Sequence, residues 1–244
     1  MSTHRFRIVT YNVHRCRGLD GRVSPGRIAE ILKSINADVI ALQEVLSIAN
    51  SSPEADQAVF LASQLGFDYC LGNNRRVRGG VYGNVVLSRF PIVLEKNFDI
   101  SCRDREPRGC LQTDLRWGHR ILHIFNVHLG TAFFERRQQA RTLMNILGHA
   151  SLGQTRIILG DFNEWTYGLA SRLLGNHLVS ADVRHHLRRS RTYPGFLPFL
   201  HLDHIYFDRS LKLHALSWVR DKSTLVASDH LPLFADFTVA EEPR

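Results

Sequence analysis

No stretch of this chain stays apolar for the roughly 18 to 20 residues a membrane-crossing helix needs, so no integral membrane segment is expected. The opening residues, Met1 to Arg5, lead directly into a strand-like segment without the apolar region of a secretory leader, and a cytoplasmic location follows by default. Cysteine is scarce. Cys16, Cys70, Cys102 and Cys110 are the only four in 244 residues, and none sits at metal-type pair spacing. Zinc is therefore a poor fit, and a reduced compartment leaves all four as thiols. Repeats, low-complexity tracts and internal linkers are also missing, so one domain covering 1–244 is expected.

The hydrophobic share of 44% and charged share of 22% are those of a soluble globular chain. A net charge of +8 favours an anionic partner, either nucleic acid, an anionic phospholipid surface or a small phosphorylated molecule. Solubility alone is the competing explanation. No feature points to a protein partner.

The most informative stretch runs from Arg156 to Trp165. Its apolar run reads as a buried strand, Gly160 permits a turn that a side chain would obstruct, and Asp161 and Asn163 follow two apart. On an extended backbone such a pair points to one face, at the strand end where open α/β sheets place their sites. The same arrangement recurs. A first strand near Phe6–His14 ends on Asn12 and His14, and a second, from Asp38 to Val45, carries Glu44. Strands near Tyr82–Arg89, 93–100, 109–117 and 120–128 follow, and the last of these ends on His128. Further strands are expected near 202–207, 211–219 and 231–239. Ser24-Pro25 starts a helix whose buried face is Ile28, Ile31, Leu32 and Ile35. Other helices are expected from about Pro53 to Leu65, from 134 to 149 and near 168–174. Arg75 to Gly80 reads as a basic, flexible loop.

Taken singly, the polar residues at these strand ends are weak signals. A lone Glu after a strand is more often a cap, and a lone His more often a hydrogen-bonded structural residue. Their joint occurrence is different, because acids and amides at so many strand ends serve no packing purpose. Carboxylates gathered in a cleft repel unless a cation or hydrogen bonds offset them. Carboxylate and amide oxygens suit a hard cation, Mg²⁺ first and Mn²⁺ or Ca²⁺ behind it.

The motifs Thr10-Tyr11-Asn12-Val13, Leu42-Gln43-Glu44-Val45, Gly83-Asn84 through Leu87-Ser88-Arg89, Asn126-Val127-His128-Leu129, Gly160-Asp161-Phe162-Asn163, Leu202-Asp203-His204-Ile205 and Ser228-Asp229-His230-Leu231-Pro232-Leu233 span nearly the whole chain. Together they resemble the endonuclease/exonuclease/phosphatase superfamily, with its DNase I-like fold. The resemblance implies an α/β protein, a four-layered α/β/β/α sandwich of two mixed, largely antiparallel sheets, with the site at one edge. It also implies metal-dependent hydrolysis of phosphate esters with Mg²⁺, or Mn²⁺, as cofactor. Carried over by position, Glu44 is the main metal ligand, with Asn12 and Asp229 as partial or water-mediated ligands. Asp161 orients or deprotonates the attacking water, and Asn163 donates to a phosphate oxygen. Asp203 holds His230 in one tautomer, and His128 binds the phosphate or protonates the leaving oxygen. Asn84 and Arg108 are candidate substrate contacts, a surface ion pair being an equally good reading of Arg108. Whether Asp161 or the Asp203–His230 pair takes the proton stays open. Some nucleases of the family carry an acid two residues after the first-strand Asn. This chain has His14 there, which favours a single metal.

The expected substrate is a phosphodiester of lipid-like or small character. The pattern resembles a bacterial subgroup encoded alongside phospholipid synthesis, and the apolar run 192–200 suits a wall beside the phosphate, a loop packed down on the core being its more ordinary reading. A nuclease is the alternative, with Arg75–Arg78 and 184–189 as backbone contacts, and a non-catalytic anion-binding module is the second. Phe133-Phe134, ahead of Glu135-Arg136-Arg137, reads as helix-start packing before it reads as a membrane contact.

Overall fold

In chain order the elements of this computed structural model are β1 (Phe6–Asn12), α1 (Pro25–Ile35), β2 (Val39–Ser47), α2 (Gln57–Leu65), β3 (Asp68–Val77), β4 (Gly80–Ser88), β5 (Ile92–Asp99), β6 (Gly109–Trp117), β7 (Arg120–His128), α3 (Phe133–Gly148), β8 (Thr155–Asp161), α4 (Leu169–His177), β9 (Val179–Ser180), β10 (Asp203–Phe207), β11 (Leu211–Trp218), α5 (Lys222–Ala227) and β12 (Leu233–Val239). The residues described are 5–148, 155–164, 168–181, 192–194 and 200–239.

Side-chain alternation sets the layering. In β1, Phe6 and Ile8 enter one buried cluster while Val9 and Tyr11 enter another, so the strand is covered on both faces. Phe6 and Ile8 join Leu122 and Ile124 of β7 and Ile157 and Leu159 of β8 in a core between two sheets. Val9 and Tyr11 pack with Ile28, Leu32, Ala58 and Leu61 of α1 and α2 on the outside of the first sheet. Phe125, Val127 and Ile158 pack with Leu143, Leu147 and Leu174 of α3 and α4 on the outside of the second. The result is the α/β/β/α sandwich. Each sheet has six strands, in the orders β11-β12-β1-β2-β4-β3 and β5-β6-β7-β8-β10-β9. Among the described residues only the β1–β2 and β7–β8 pairs are parallel. Among the described residues no helix is long and apolar enough to cross a membrane, and all four cysteines are buried and free.

Buried amides clasp the sheets together at one end of the sandwich. Gln43 Nε2 donates to Asn126 Oδ1 at 2.8 Å, and Asn126 Nδ2 donates to the carbonyls of Leu42 and Val85 at 2.9 Å each. Asn84 Nδ2 donates back across the interface to Gly109 O at 3.0 Å and Asn126 O at 3.1 Å.

The structure departs from the sequence expectations at several places. Arg75 to Gly80 is the tip of the β3–β4 hairpin, closed by Arg78 and Gly79 at φ 52° and 79°; positive φ at both positions is what a tight hairpin turn requires. The polar sequence of β3, Asp68–Val77, hid that strand, and the short β9 and α5 were equally unmarked. The helix expected from Pro53 begins at Gln57, because Asp56 caps it by accepting from Val59 N. Gly160 lies inside β8 rather than in a turn; at φ 145° a Cβ would stand 1.9 Å from Val127 O. Phe133 and Phe134 pack edge-to-face on each other at the start of α3 but are left 58% and 80% exposed. The runs 184–191 and 195–199 lie outside the described residues.

The clasp carries a stability test. Asn126→Leu strips the Leu42 and Val85 carbonyls of the amide hydrogens they accept and removes one of three acceptors of the Gln43 amide, and an orphaned buried polar group costs about 1–3 kcal/mol. Urea unfolding should show a loss of roughly 3 kcal/mol or more; a change within about 0.5 kcal/mol would contradict the assigned role.

Candidate active site

The inward positions of the central strands are apolar along most of their length and turn polar at one end. Leu122 and Ile124 give way to Asn126 and His128, Ile157 and Leu159 to Asp161, and Phe6 and Ile8 to Thr10 and Asn12. Strand register then sets the acids and imidazole side by side. His128 stands opposite Asp161 across β7–β8, and Asp161 opposite Asp203 across β8–β10.

Asp161 is the hub, and it is fully buried. Its Oδ2 lies 3.1 Å from Asn12 Nδ2, which reaches across from the other sheet, 3.6 Å from His128 Nε2 and 3.5 Å from His230 Nε2. Its Oδ1 accepts the Asn163 backbone N–H at 2.9 Å. Asn163, at φ 49°, turns the chain back on itself, so the extended i, i+2 geometry expected of Asp161 and Asn163 does not hold. His230 Nδ1 lies 3.0 Å from Asp203 Oδ2, which also takes the Thr192 hydroxyl hydrogen. The Tyr193 ring covers His230 at a centroid distance of 4.9 Å.

Glu44 approaches from β2. The register of β2 on β4 shifts between Leu42 and Val45, and Glu44 sits in that bulge at φ 59°. Bulges and left-handed non-glycine residues re-aim side chains at functional sites. Here the carboxylate ends 3.2 Å from Asn12 Nδ2. Asp229 stands at the same edge, its Oδ1 3.3 Å from the Ser228 hydroxyl and 3.9 Å from His14 Nδ1. The Ser228 hydroxyl in turn donates to Asn12 O at 2.7 Å.

Charge is distributed unequally over these groups. Burial drives the Asp161 carboxyl above the usual carboxylate range, to about 6, against the opposing pull of His230. Burial alone would lower His230, but Asp203 and Asp161 outweigh it and push the imidazole up to about 10. His128 is held well below its ordinary value, by burial first and then by the positive charges of Arg108 and His230. One imidazole is thus a cation and the other is neutral.

A polar circuit closes around the cleft. Arg108 links His128 Nδ1, at 3.1 Å, to Glu106, at 2.9 Å. Arg75 meets Glu106 at 2.6 Å and stacks over the Tyr82 ring at 4.7 Å, and burial, with the nearby Glu44 charge behind it, raises the Tyr82 hydroxyl above its ordinary range. The structure therefore brings together Asn12, Glu44, His128, Asp161, Asp203 and His230, with Asp229 and Arg108 joined to them. Asn163 contributes its backbone N–H and sends its side-chain amide to Leu129 O at 2.9 Å. Asn84 lies one layer below, its NH₂ used up in the sheet clasp. Sequence reasoning missed Tyr82, Glu106, Thr192 and Ser228 as members of the site. Tyr82 had a signal, since it stands two residues before Asn84 on the same face; Ser228 stood in the motif of Asp229 and His230, Thr192 in the run 192–200 and Glu106 beside Arg108, but none of the three was assigned a contact.

Among the described residues no three His, Cys, Asp or Glu side chains form a metal cage. Asn12 turns its Nδ2 toward Glu44 while its Oδ1 accepts the His14 N–H, so the Glu44 carboxylate is the main oxygen donor here, a sparse set that fits a small hard cation keeping most of its waters.

A two-sheet sandwich with helices on both outer faces is the DNase I-like fold. The chain belongs to the endonuclease/exonuclease/phosphatase family, whose model matches residues 9–230. Members of this family are typically phosphoester hydrolases that use divalent metal ions. The uncharacterized protein YbhP of Escherichia coli (strain K12) is 28% identical over 248 residues, covering 95% of each chain. Two solved structures share the fold. One is an endonuclease/exonuclease/phosphatase from Bacteroides vulgatus, at 17% identity and TM-score 0.79 over 97% of this chain and 100% of that one. The other is a mannosyl-6-phosphatase from Bacteroides thetaiotaomicron, at 18% identity and TM-score 0.75 over 95% and 99%.

The raised His230 value has a definite sign in stability. A group whose pKa is higher in the folded state stabilises fully below its unfolded value, near 6.5, and loses that contribution as pH rises through the folded value. In EDTA-treated protein the stability gap between wild type and His230→Gln should therefore shrink between pH 7 and about 10. A gap that widens over that range would refute the assignment of His230 as the buried cation.

Proposed function

We propose that this chain hydrolyses phosphodiester bonds in lipid-like or small phosphoesters with a bound divalent cation, Mg²⁺ before Mn²⁺. The observation that carries the proposal is Asp161, a buried carboxylate held between two imidazoles and an amide, with Glu44 across the cleft. Glu44 would hold the metal, with Asn12 and Asp229 beside it, and the metal would supply positive charge to the phosphoryl oxygens. Asp161, with its pKa raised toward neutrality, is the better placed of the two candidate bases to take the proton of the attacking water. His230 is already protonated; it balances negative charge on the phosphoryl group, and Asp203 fixes its ring. His128 faces the same space from the other side of Asp161.

Two features favour a lipid-like or small ester over nucleic acid. Phe133 and Phe134 are exposed at the start of α3, a short connection after His128. Arg75 and Arg108, two arginines beside the cleft, are both paired with Glu106 and so are not free for a phosphate backbone. The fold similarity to a mannosyl-6-phosphatase supports phosphoester chemistry in general.

Purified protein should cleave bis(p-nitrophenyl) phosphate when supplied with Mg²⁺ or Mn²⁺ and stop when EDTA is added. Asp161→Asn should lower kcat by at least about 10²-fold, the scale on which a preorganised charged group acts. Normal turnover by that variant would refute the role of Asp161. Phospholipid vesicles and plasmid DNA assayed in parallel decide the substrate: cleavage of plasmid but not of lipid would favour the nuclease.

A further inference from the structure

Arg108 is buried in the wall of the cleft, where a substrate contact was expected. Both of its terminal nitrogens are already engaged. One donates to Glu106 Oε2 at 2.9 Å and the other faces His128 Nδ1 at 3.1 Å. Glu106 is itself held from the far side by Arg75 at 2.6 Å. The guanidinium is thus fixed in direction by its neighbours.

A guanidinium has five N–H donors and no acceptor. The ring atom it faces must therefore accept, so His128 Nδ1 carries no hydrogen and the proton sits on Nε2. That N–H points toward Asp161 Oδ2, 3.6 Å away. A carboxylate behind the ring would impose the opposite tautomer and favour a charged imidazole. We propose that Arg108 is a positioning residue that locks His128 as a neutral imidazole with its hydrogen on Nε2, making His128 a fixed hydrogen-bond donor to the phosphoryl group rather than an acid or a base. A neutral imidazole that gave up its Nε2 proton would leave an imidazolate, so His128 keeps that proton throughout the reaction. The leaving oxygen must then take its proton from elsewhere, from solvent or from His230. The inference rests on the phosphoesterase reading for its catalytic meaning but not for its geometry.

The test joins a spectroscopic readout to kinetics. In metal-free protein labelled with ¹⁵N-histidine, at pH 7.5, long-range ¹H–¹⁵N correlation should show His128 with an unprotonated Nδ1 and a protonated Nε2. Arg108→Met, which keeps length but removes every donor, should lose this pattern and shift Nδ1 toward a tautomer-averaged position. Arg108→Gln, which retains an N–H donor, should keep it. Kinetically, Arg108→Met should lower kcat by about tenfold or more with KM within about twofold, whereas loss of a direct substrate contact would raise KM. A protonated Nδ1 in wild type overturns the proposal, whether or not Arg108→Met folds, and so does an unchanged His128 pattern in a folded Arg108→Met variant. If no phosphoester is turned over at all, the functional reading fails, and the tautomer of His128 still decides the role of Arg108.

Discussion

A carboxylate removed from water needs compensation, and Asp161 shows how this fold provides it. Its charge is balanced by the protonated His230 and by amide hydrogens from Asn12 and Asn163, while neutral His128 leaves room on its other side. The balance is incomplete, because Asp203 sits next to it in register and adds a second negative charge. Burial first, and then the Asp203 charge, leaves Asp161 above the ordinary carboxylate range, and a carboxylate in that condition is useful as a base at neutral pH. The two imidazoles differ for a plain reason. His230 is backed by a carboxylate and His128 by a guanidinium.

The sandwich sets up this arrangement by extending its own packing pattern. Residues that alternate into the central core become polar at one end of each strand, so the same face that buries Ile and Leu delivers Asn, His and Asp to the edge. The amide clasp of Gln43, Asn84 and Asn126 separates the dry core from the polar edge and fixes the spacing of the sheets. Asn12 can then reach Asp161 from the opposite sheet. Glu44 needs one extra device, a bulge at positive φ, since regular alternation after Leu42 would not turn its carboxylate into the cleft.

Much of this was legible in the sequence. The α/β/β/α class, most strands and the joining of Asn12, Glu44, His128, Asp161, Asp203 and His230 followed from polar residues at strand ends and from family-like motifs in order. What stayed hidden has physical causes. The polar, half-exposed strand β3 lacks the alternation that marks a strand. The turn at Asn163 depends on a side chain accepting a backbone hydrogen, which spacing does not reveal. Thr192 opens the run 192–200 read as a wall beside the phosphate, but nothing in that run showed that its hydroxyl reaches Asp203. Arg108 was visible as a cation near the site, but its direction was not. Only the contacts of Glu106 and Arg75 show that it faces His128 rather than open space.

The central claim is that these groups converge on one cation and one phosphoryl group. Crystals soaked with Mn²⁺ and inorganic phosphate, measured at an energy where manganese scatters anomalously, test this directly. The expected result is a single anomalous peak against the Glu44 carboxylate, with phosphate between it and the imidazoles of His128 and His230. A peak remote from Glu44, or phosphate bound away from Asp161, would contradict the account.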